Sequence, residues 1–183
     1  MGKQVTLTGV EQFFDDDDII VSKTNLKGHL TYTNKIFLDI SGYVENEVVG
    51  KPHNVIRHPD MPRSVFKTLW DTVQSGEEVF AYVVNRCKNG DHYWVYAHVT
   101  PSRNNDGQII GYHSNRRVPD RKILTNDIIP LYQQLKTEED QHSSAKEGLK
   151  AGTQMLQNIL TEANVAYDEF IATIGQGLRR GYR

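Results

Sequence analysis

Apolar and polar positions alternate through Ile19-Ile20-Val21, break at Asn25-Leu26-Lys27-Gly28 and resume in His29–Thr33. A period of two on either side of a turn predicts a β-hairpin. From Asn34 the period lengthens, with Ile36, Phe37 and Ile40 on one helical face and Ser41-Gly42 as the stop. Residues 43–62 are interrupted by Gly50, Pro52, Pro59 and Pro62, which predicts only short helical turns. Pro62 suits the first position of a helix, and Val65, Phe66, Leu69, Trp70 and Val73 form its apolar stripe up to Ser75-Gly76. Three strands are predicted next, at 78–88, 91–101 and 108–118, separated by Lys88-Asn89-Gly90-Asp91 and by Arg103–Gly107. Strands joined by tight turns are antiparallel, so the expected class is α+β: a five-stranded antiparallel sheet with short helices on one face.

The flanks read differently. Residues 1–18 form a lead-in that ends in the solvated run Asp15–Asp18 and offers Phe13 and Phe14 for docking. Beyond Pro119 the pattern is helical: Ile123, Leu124, Ile128, Leu131, Tyr132 and Leu135 share a face, and a polar break covers 137–144. Leu149, Leu156, Leu160, Ala163, Tyr167, Phe170, Ile174 and Leu178 then recur at spacings near three and four. That seam predicts a long helix, either folded back on the domain or joining two copies in a homodimer. The expected organisation is a lead-in (1–18), an α+β domain (19–119) and a helical segment (120–183) that offers a surface for oligomerisation.

Net charge is −2 over 183 residues, without the basic excess that a phosphate backbone requires, so nucleic acid is not an expected partner. No stretch reaches the roughly 20 apolar residues of a membrane span, and the N-terminus lacks a signal peptide's apolar run; the chain reads as cytoplasmic. Cys87 stands alone, which excludes internal disulfides and reads as a small strand residue. His53 and His58 lie in a proline-interrupted segment without a carboxylate triad, and no glycine loop suits a phosphate, so an enzyme is not expected.

Two runs carry a resemblance. Lys51-Pro52-His53-Asn54-Val55-Ile56-Arg57-His58-Pro59-Asp60-Met61-Pro62 and Asn85-Arg86-Cys87-Lys88-Asn89-Gly90-Asp91-His92-Tyr93-Trp94-Val95 are similar to the sensory PAS domain of bacterial aerotaxis receptors. Ser41-Gly42-Tyr43, Leu69-Trp70 and Pro130-Leu131-Tyr132 extend the likeness over about 19–135. The resemblance implies a helical face closing a cofactor pocket, bound FAD, and sensing of redox state or oxygen-linked energy for a downstream signalling partner. It implies FAD-binding roles for Arg57, His58 and Asp60, and, by likeness to light-sensing LOV domains, a place for Asn85 against the flavin ring. Trp70 and His53 are further candidates for the cofactor pocket. The chain has no segment matching those receptors' membrane anchor or methyl-accepting domain, so the resemblance implies a sensory domain at 19–119 that signals through an output segment at 120–183 by association, or whose output lies on a separate protein.

The chemistry agrees with the likeness. A flavin needs donors and acceptors along its N3–O4 edge, a partner for charge arising at N1 and O2 on reduction, and apolar walls. Asn85 offers both a donor and an acceptor, whereas Arg57 could face a phosphate or pair with Asp60. A two-residue Asn89-Gly90 turn sets Asn85 opposite Trp94; a three-residue turn with a glycine bulge, the favoured register, sets it opposite Val95, in the pocket, with Trp94 facing outward to meet Phe13 and Phe14 or a partner. Glu78-Val79-Phe80-Ala81 stands where the family has Pro-Trp-Ser-Gly, and bulk pointing inward there narrows the pocket. Two other readings remain: a haem-binding PAS gas sensor using one of the seven histidines, and a cofactor-free protein-interaction module.

Overall fold

The computed structural model describes residues 5–175. Strand β1 (Ile20–Asn25) and β2 (Leu30–Thr33) form the first hairpin. Helix α1 (Lys35–Ser41) follows; the Asn34 side chain accepts from the Phe37 N–H at its start, and Gly42, at φ 72°, ends it. Helix α2 (Glu45–Val48), a 3₁₀ turn over His53–Ile56 and α3 (Arg63–Gln74) lead to β3 (Val79–Arg86), β4 (His92–Arg103) and β5 (Ile109–Arg117). The sheet order is β2-β1-β5-β4-β3, antiparallel throughout, so the first hairpin sits beside the last strand.

The β3–β4 register differs from both expected ones. The loop is Lys88-Asn89-Gly90, closed by Cys87 N–H donating to Asp91 O at 2.8 Å, with Gly90 at φ 99°. The favoured three-residue glycine turn does form. It begins one residue earlier than expected, so Asn85 pairs with Tyr93 and Val95 pairs with Val83. A shift of two residues leaves the faces unchanged, so Asn85 and Val95 still share the inner face and Trp94 the outer one.

Trp94 meets Tyr132 rather than Phe13 or Phe14, with ring centroids 6.0 Å apart. The chain beyond the sheet is continuously helical from α4 (Arg121–Ile123) through a π-helical turn (Leu124–Ile128) into α5 (Ile129–Asp140). The wide turn immediately precedes Pro130, whose ring would crowd the carbonyl one turn back in a regular helix. Helix α6 (Ala145–Ala163) then packs back against α5 and α3, burying Gly148, Gly152, Leu156 and Leu160. The expected seam is not one helix. Asn164 adopts φ 54° and ends α6, and a separate α7 (Tyr167–Thr173) packs on β3. Leu178 lies outside the described residues.

The N-terminal segment is docked along the β3–β4 turn. Thr8 N–H donates to Gly90 O, Gln12 N–H to His92 O, and His92 N–H to Val10 O. The buried Asp91 carboxylate accepts from Thr8 Oγ1, Gln12 Nε2 and Asn89 Nδ2, and these hydrogen bonds hold its pKa below the usual value. Arg121 pairs bidentately with Glu11 at 2.6 and 3.0 Å. Phe14 packs on the core, whereas Phe13 is 68% exposed with the Arg121 guanidinium over its ring.

Candidate functional site

The sheet's inner face and α3 enclose a cavity of about 50 Å³. Alternation along the strands supplies its floor: Ser22 and Thr24 from β1, Val83 and Asn85 from β3, Tyr112, Ser114 and Arg116 from β5. Helix α3 supplies the opposite wall through Phe66, Leu69 and Trp70, and the 3₁₀ turn contributes His53. Trp70 meets Tyr112 edge to face at 5.4 Å.

The polar groups on this otherwise apolar wall are under-used. Asn85 Nδ2, Arg116 Nη1, Thr24 Oγ1 and Ser114 Oγ are all buried without a hydrogen-bond partner. Natural interiors leave few such atoms, and four around one cavity point to a polar ligand. Arg116 Nη2 donates to His53 Nε2 at 2.6 Å and to Ser22 Oγ at 2.8 Å. His53 must be neutral to accept; burial, reinforced by the Arg116 charge, pushes its pKa down to about 3.

A second, outer groove of about 410 Å³ shares His53, Phe66 and Trp70 with the cavity. It adds the cations Lys27, Arg57, Arg63 and Lys67, and Leu149 of α6. Cavity and groove together reach the few hundred Å³ of a usual cofactor site, and His53, Phe66 and Trp70 are the residues common to both.

Of the residues singled out in the sequence, Asn85, Trp70 and His53 line the cavity, and Arg57 lies in the groove. Arg57 does not pair with Asp60; its Nη2 donates to Met61 O at 3.3 Å and its guanidinium stacks on Phe66 at 4.8 Å. His58 and Asp60 line neither space. The buried His58 accepts the Asp60 N–H on Nδ1 and sits 5.6 Å from the His92 ring, while the Asp60 carboxylate is 76% exposed. This is turn chemistry, the short polar hydrogen bonds of a Pro-containing loop. Val95 is buried on the cavity's face beside its cross-strand partner Val83, which lines the cavity where Val95 does not. Phe80, the largest gain in bulk over the family pattern, points away from the cavity and stacks on His98 at 4.2 Å. Burial pushes the Cys87 thiol up to about 12, and its Sγ donates to Ile40 O, as suits a packing residue.

Sequence reasoning missed Arg116, Ser114, Thr24 and Tyr112. The signal available was the alternation of β5, which sets Tyr112, Ser114 and Arg116 on one face.

Residues 30–116 match the family model of the PAS fold. The chain is 44% identical over 121 residues to the aerotaxis receptor of Escherichia coli (strain K12), spanning 66% of this chain and 23% of the receptor. This chain carries a PAS domain of the aerotaxis-receptor type. The PAS domain and its flanks are also 26% identical over 155 residues to the biofilm dispersion protein BdlA of Pseudomonas aeruginosa, spanning 82% of this chain and 33% of that protein. The chain thus spans a quarter to a third of those relatives' lengths. In fold, the PAS domain is similar to the LOV domain of the blue-light photoreceptor Aureochrome1 (TM-score 0.53, 16% identity, 67% of this chain and 91% of that one). It is similar also to a PAS domain from Colwellia psychrerythraea (TM-score 0.51, 19% identity, 55% and 86%). Among the described residues, no helix is long and apolar enough to cross a membrane.

Proposed function

We propose that the PAS domain binds FAD and reports redox or oxygen-linked energy state to a signalling partner through the helices beyond the sheet. The observation that carries this reading is the set of four buried, unpartnered polar atoms on Asn85, Arg116, Thr24 and Ser114 around one cavity. Their chemistry fits the flavin ring: the Asn85 amide can donate to the O4 edge, and a guanidinium suits the N1–O2 edge. The groove outside suits a diphosphate, with Lys27 and Arg57 as its counter-charges, since Arg63 is paired with Glu139 and Asp140 and Lys67 with Asp71. When bound, the flavin supplies the electron-accepting chemistry; the residues named here bind it, orient it and exclude water.

The route outward begins at α3. A ring in a cavity this small requires Phe66 and Trp70 to yield, and both stand on α3. The N-terminus of α3 is held by Glu139 of α5: its buried carboxylate accepts from Arg63 N at 2.9 Å, and from Ser64 N and Ser64 Oγ at 2.8 Å. Any displacement of α3 is therefore felt by α5 and α6. The described part of the expected output segment, residues 120–175, is in this respect part of the sensor's own packing.

The homodimer reading retains as support the exposed apolar side chains Leu7, Val10 and Phe13, since Leu156 and Leu160 of the expected seam are buried within the chain. Against haem, His53, the histidine that lines the cavity, has its Nε2 engaged by Arg116. The test is the absorption spectrum of the purified chain. A yellow protein bleached by dithionite supports the reading; a Soret band, or a colourless protein that takes up no added FAD, overturns it.

A further inference from the structure

Arg116 is a buried cation without a counter-anion. It is 3% exposed, and no carboxylate pairs with it among the described residues. Burial draws its pKa down to about 10, so it remains charged at neutral pH. The groups facing it come from four elements: Ser22 on β1, the Phe37 ring of α1 at 5.8 Å, His53 on the 3₁₀ turn, and Tyr93 on β4. The titratable ones, His53 and Tyr93, are both held neutral by burial. Burying a lone charge in this way is strongly unfavourable unless something completes it. Two of its contacts fix it in place, since Nη2 is bound to His53 and Ser22, while Nη1 is free at the cavity.

Arg57 is not placed for the same work. It lies in the outer groove and is already engaged with Met61 O and the Phe66 face.

We infer that Arg116, held by His53 and Ser22, is the counter-charge for negative charge on the cavity's ligand, and so favours the reduced, anionic form of a bound flavin over its neutral oxidised form. This rests on the flavin reading above. A bound flavin would take two electrons from a reductant and one proton, at N5, from solvent, and Arg116 would hold the negative charge left on the N1–O2 edge. His53 and Ser22 are positioning residues that keep the guanidinium from turning away.

The test is a redox titration of the FAD-loaded full chain, with dithionite as reductant and dye mediators, comparing wild type with Arg116→Gln and Arg116→Lys. Uptake of one proton per two electrons gives wild type a potential that falls about 30 mV per pH unit near neutrality. In Arg116→Gln the reduced form is expected to be favoured at least tenfold less, a midpoint about 30 mV more negative at pH 7.5. Its pH slope should double to about 60 mV per unit as N1 takes up a second proton. Arg116→Lys keeps the charge and should stay close to wild type in slope. Arg116→Gln holding FAD with an unchanged midpoint and slope overturns the inference and leaves the flavin reading standing. If Arg116→Gln loses FAD, retention by Arg116→Lys supports the charge role, and loss by both variants overturns it. A wild-type chain that takes up no FAD overturns both readings.

Discussion

Asn85 and His53 sit at the same cavity and are expected to answer mutation in opposite ways. Asn85 is buried with Nδ2 unpartnered, and leaving a buried donor unmade costs roughly 1–3 kcal/mol. Asn85→Leu should therefore stabilise the cofactor-free protein by about 1 kcal/mol in urea denaturation while abolishing FAD uptake, the trade expected of a binding residue. His53 is neutral in the fold, with its pKa pushed down to about 3, whereas an unfolded histidine titrates near 6.5. The unfolded chain thus binds a proton that the fold refuses. Its contribution is full above pH 6.5 and is lost at roughly 1.4 kcal/mol per pH unit as pH falls from there toward 3. Urea midpoints between pH 7 and 4.5 should decline less steeply in His53→Gln; a slope equal to wild type would contradict the buried, neutral assignment. His58, also lowered by burial, contributes part of the slope that remains. At this scale Asn85 was legible because its chemistry matches an amide-reading site. Arg116 was not, because an arginine next to Arg117 at a strand's end reads as surface until the pairing of β5 with β1 and β4 turns it inward.

Helix α3 shows how two elements 75 residues apart become one unit. Glu139 caps its N-terminus where Pro62 offers no side-chain cap, and α6 lies directly on Glu139, with Gly148 against its backbone carbonyl and Gly152 against its carboxylate. Glu139→Ala leaves two backbone N–H groups and the Ser64 hydroxyl without an acceptor and should lower stability by about 3 kcal/mol in chemical denaturation. Gly152→Ala is the sharper test of the α6 contact. In most helices that change stabilises by about 1 kcal/mol. Here the added Cβ would lie 2.6 Å from Glu139 Cγ, so it should destabilise and expose the 141–144 link to limited proteolysis. Helices α1 and α3 and the strands were legible from periodicity. The packing of α6 was not, since Leu149, Leu156 and Leu160 give the same spacing whether a helix closes on its own domain or on a second copy.

At the scale of the molecule, the N-terminal segment ties the β3–β4 turn to the start of the C-terminal helices through Asp91 and the Glu11–Arg121 pair. Gly90 is required there by more than its φ, because a Cβ would lie 2.0 Å from Thr6 O. Removing residues 1–14 should accelerate amide exchange at the Lys88–Gly90 turn while leaving the β1–β5 ladder protected. Equal protection with and without the segment would show that the docking carries no stability.

The Glu139 clasp also has a chronology. During synthesis α3 emerges with its first N–H groups open to water, and they stay so until residue 139 arrives; the sheet likewise cannot close until β5 reaches β1. Contacts so distant in sequence form slowly. A chain released at residue 119 would hold all five strands and every residue that lines the cavity, yet its α3 would lack the Glu139 cap, so the lining is complete in sequence before the clasp that fixes its helical wall.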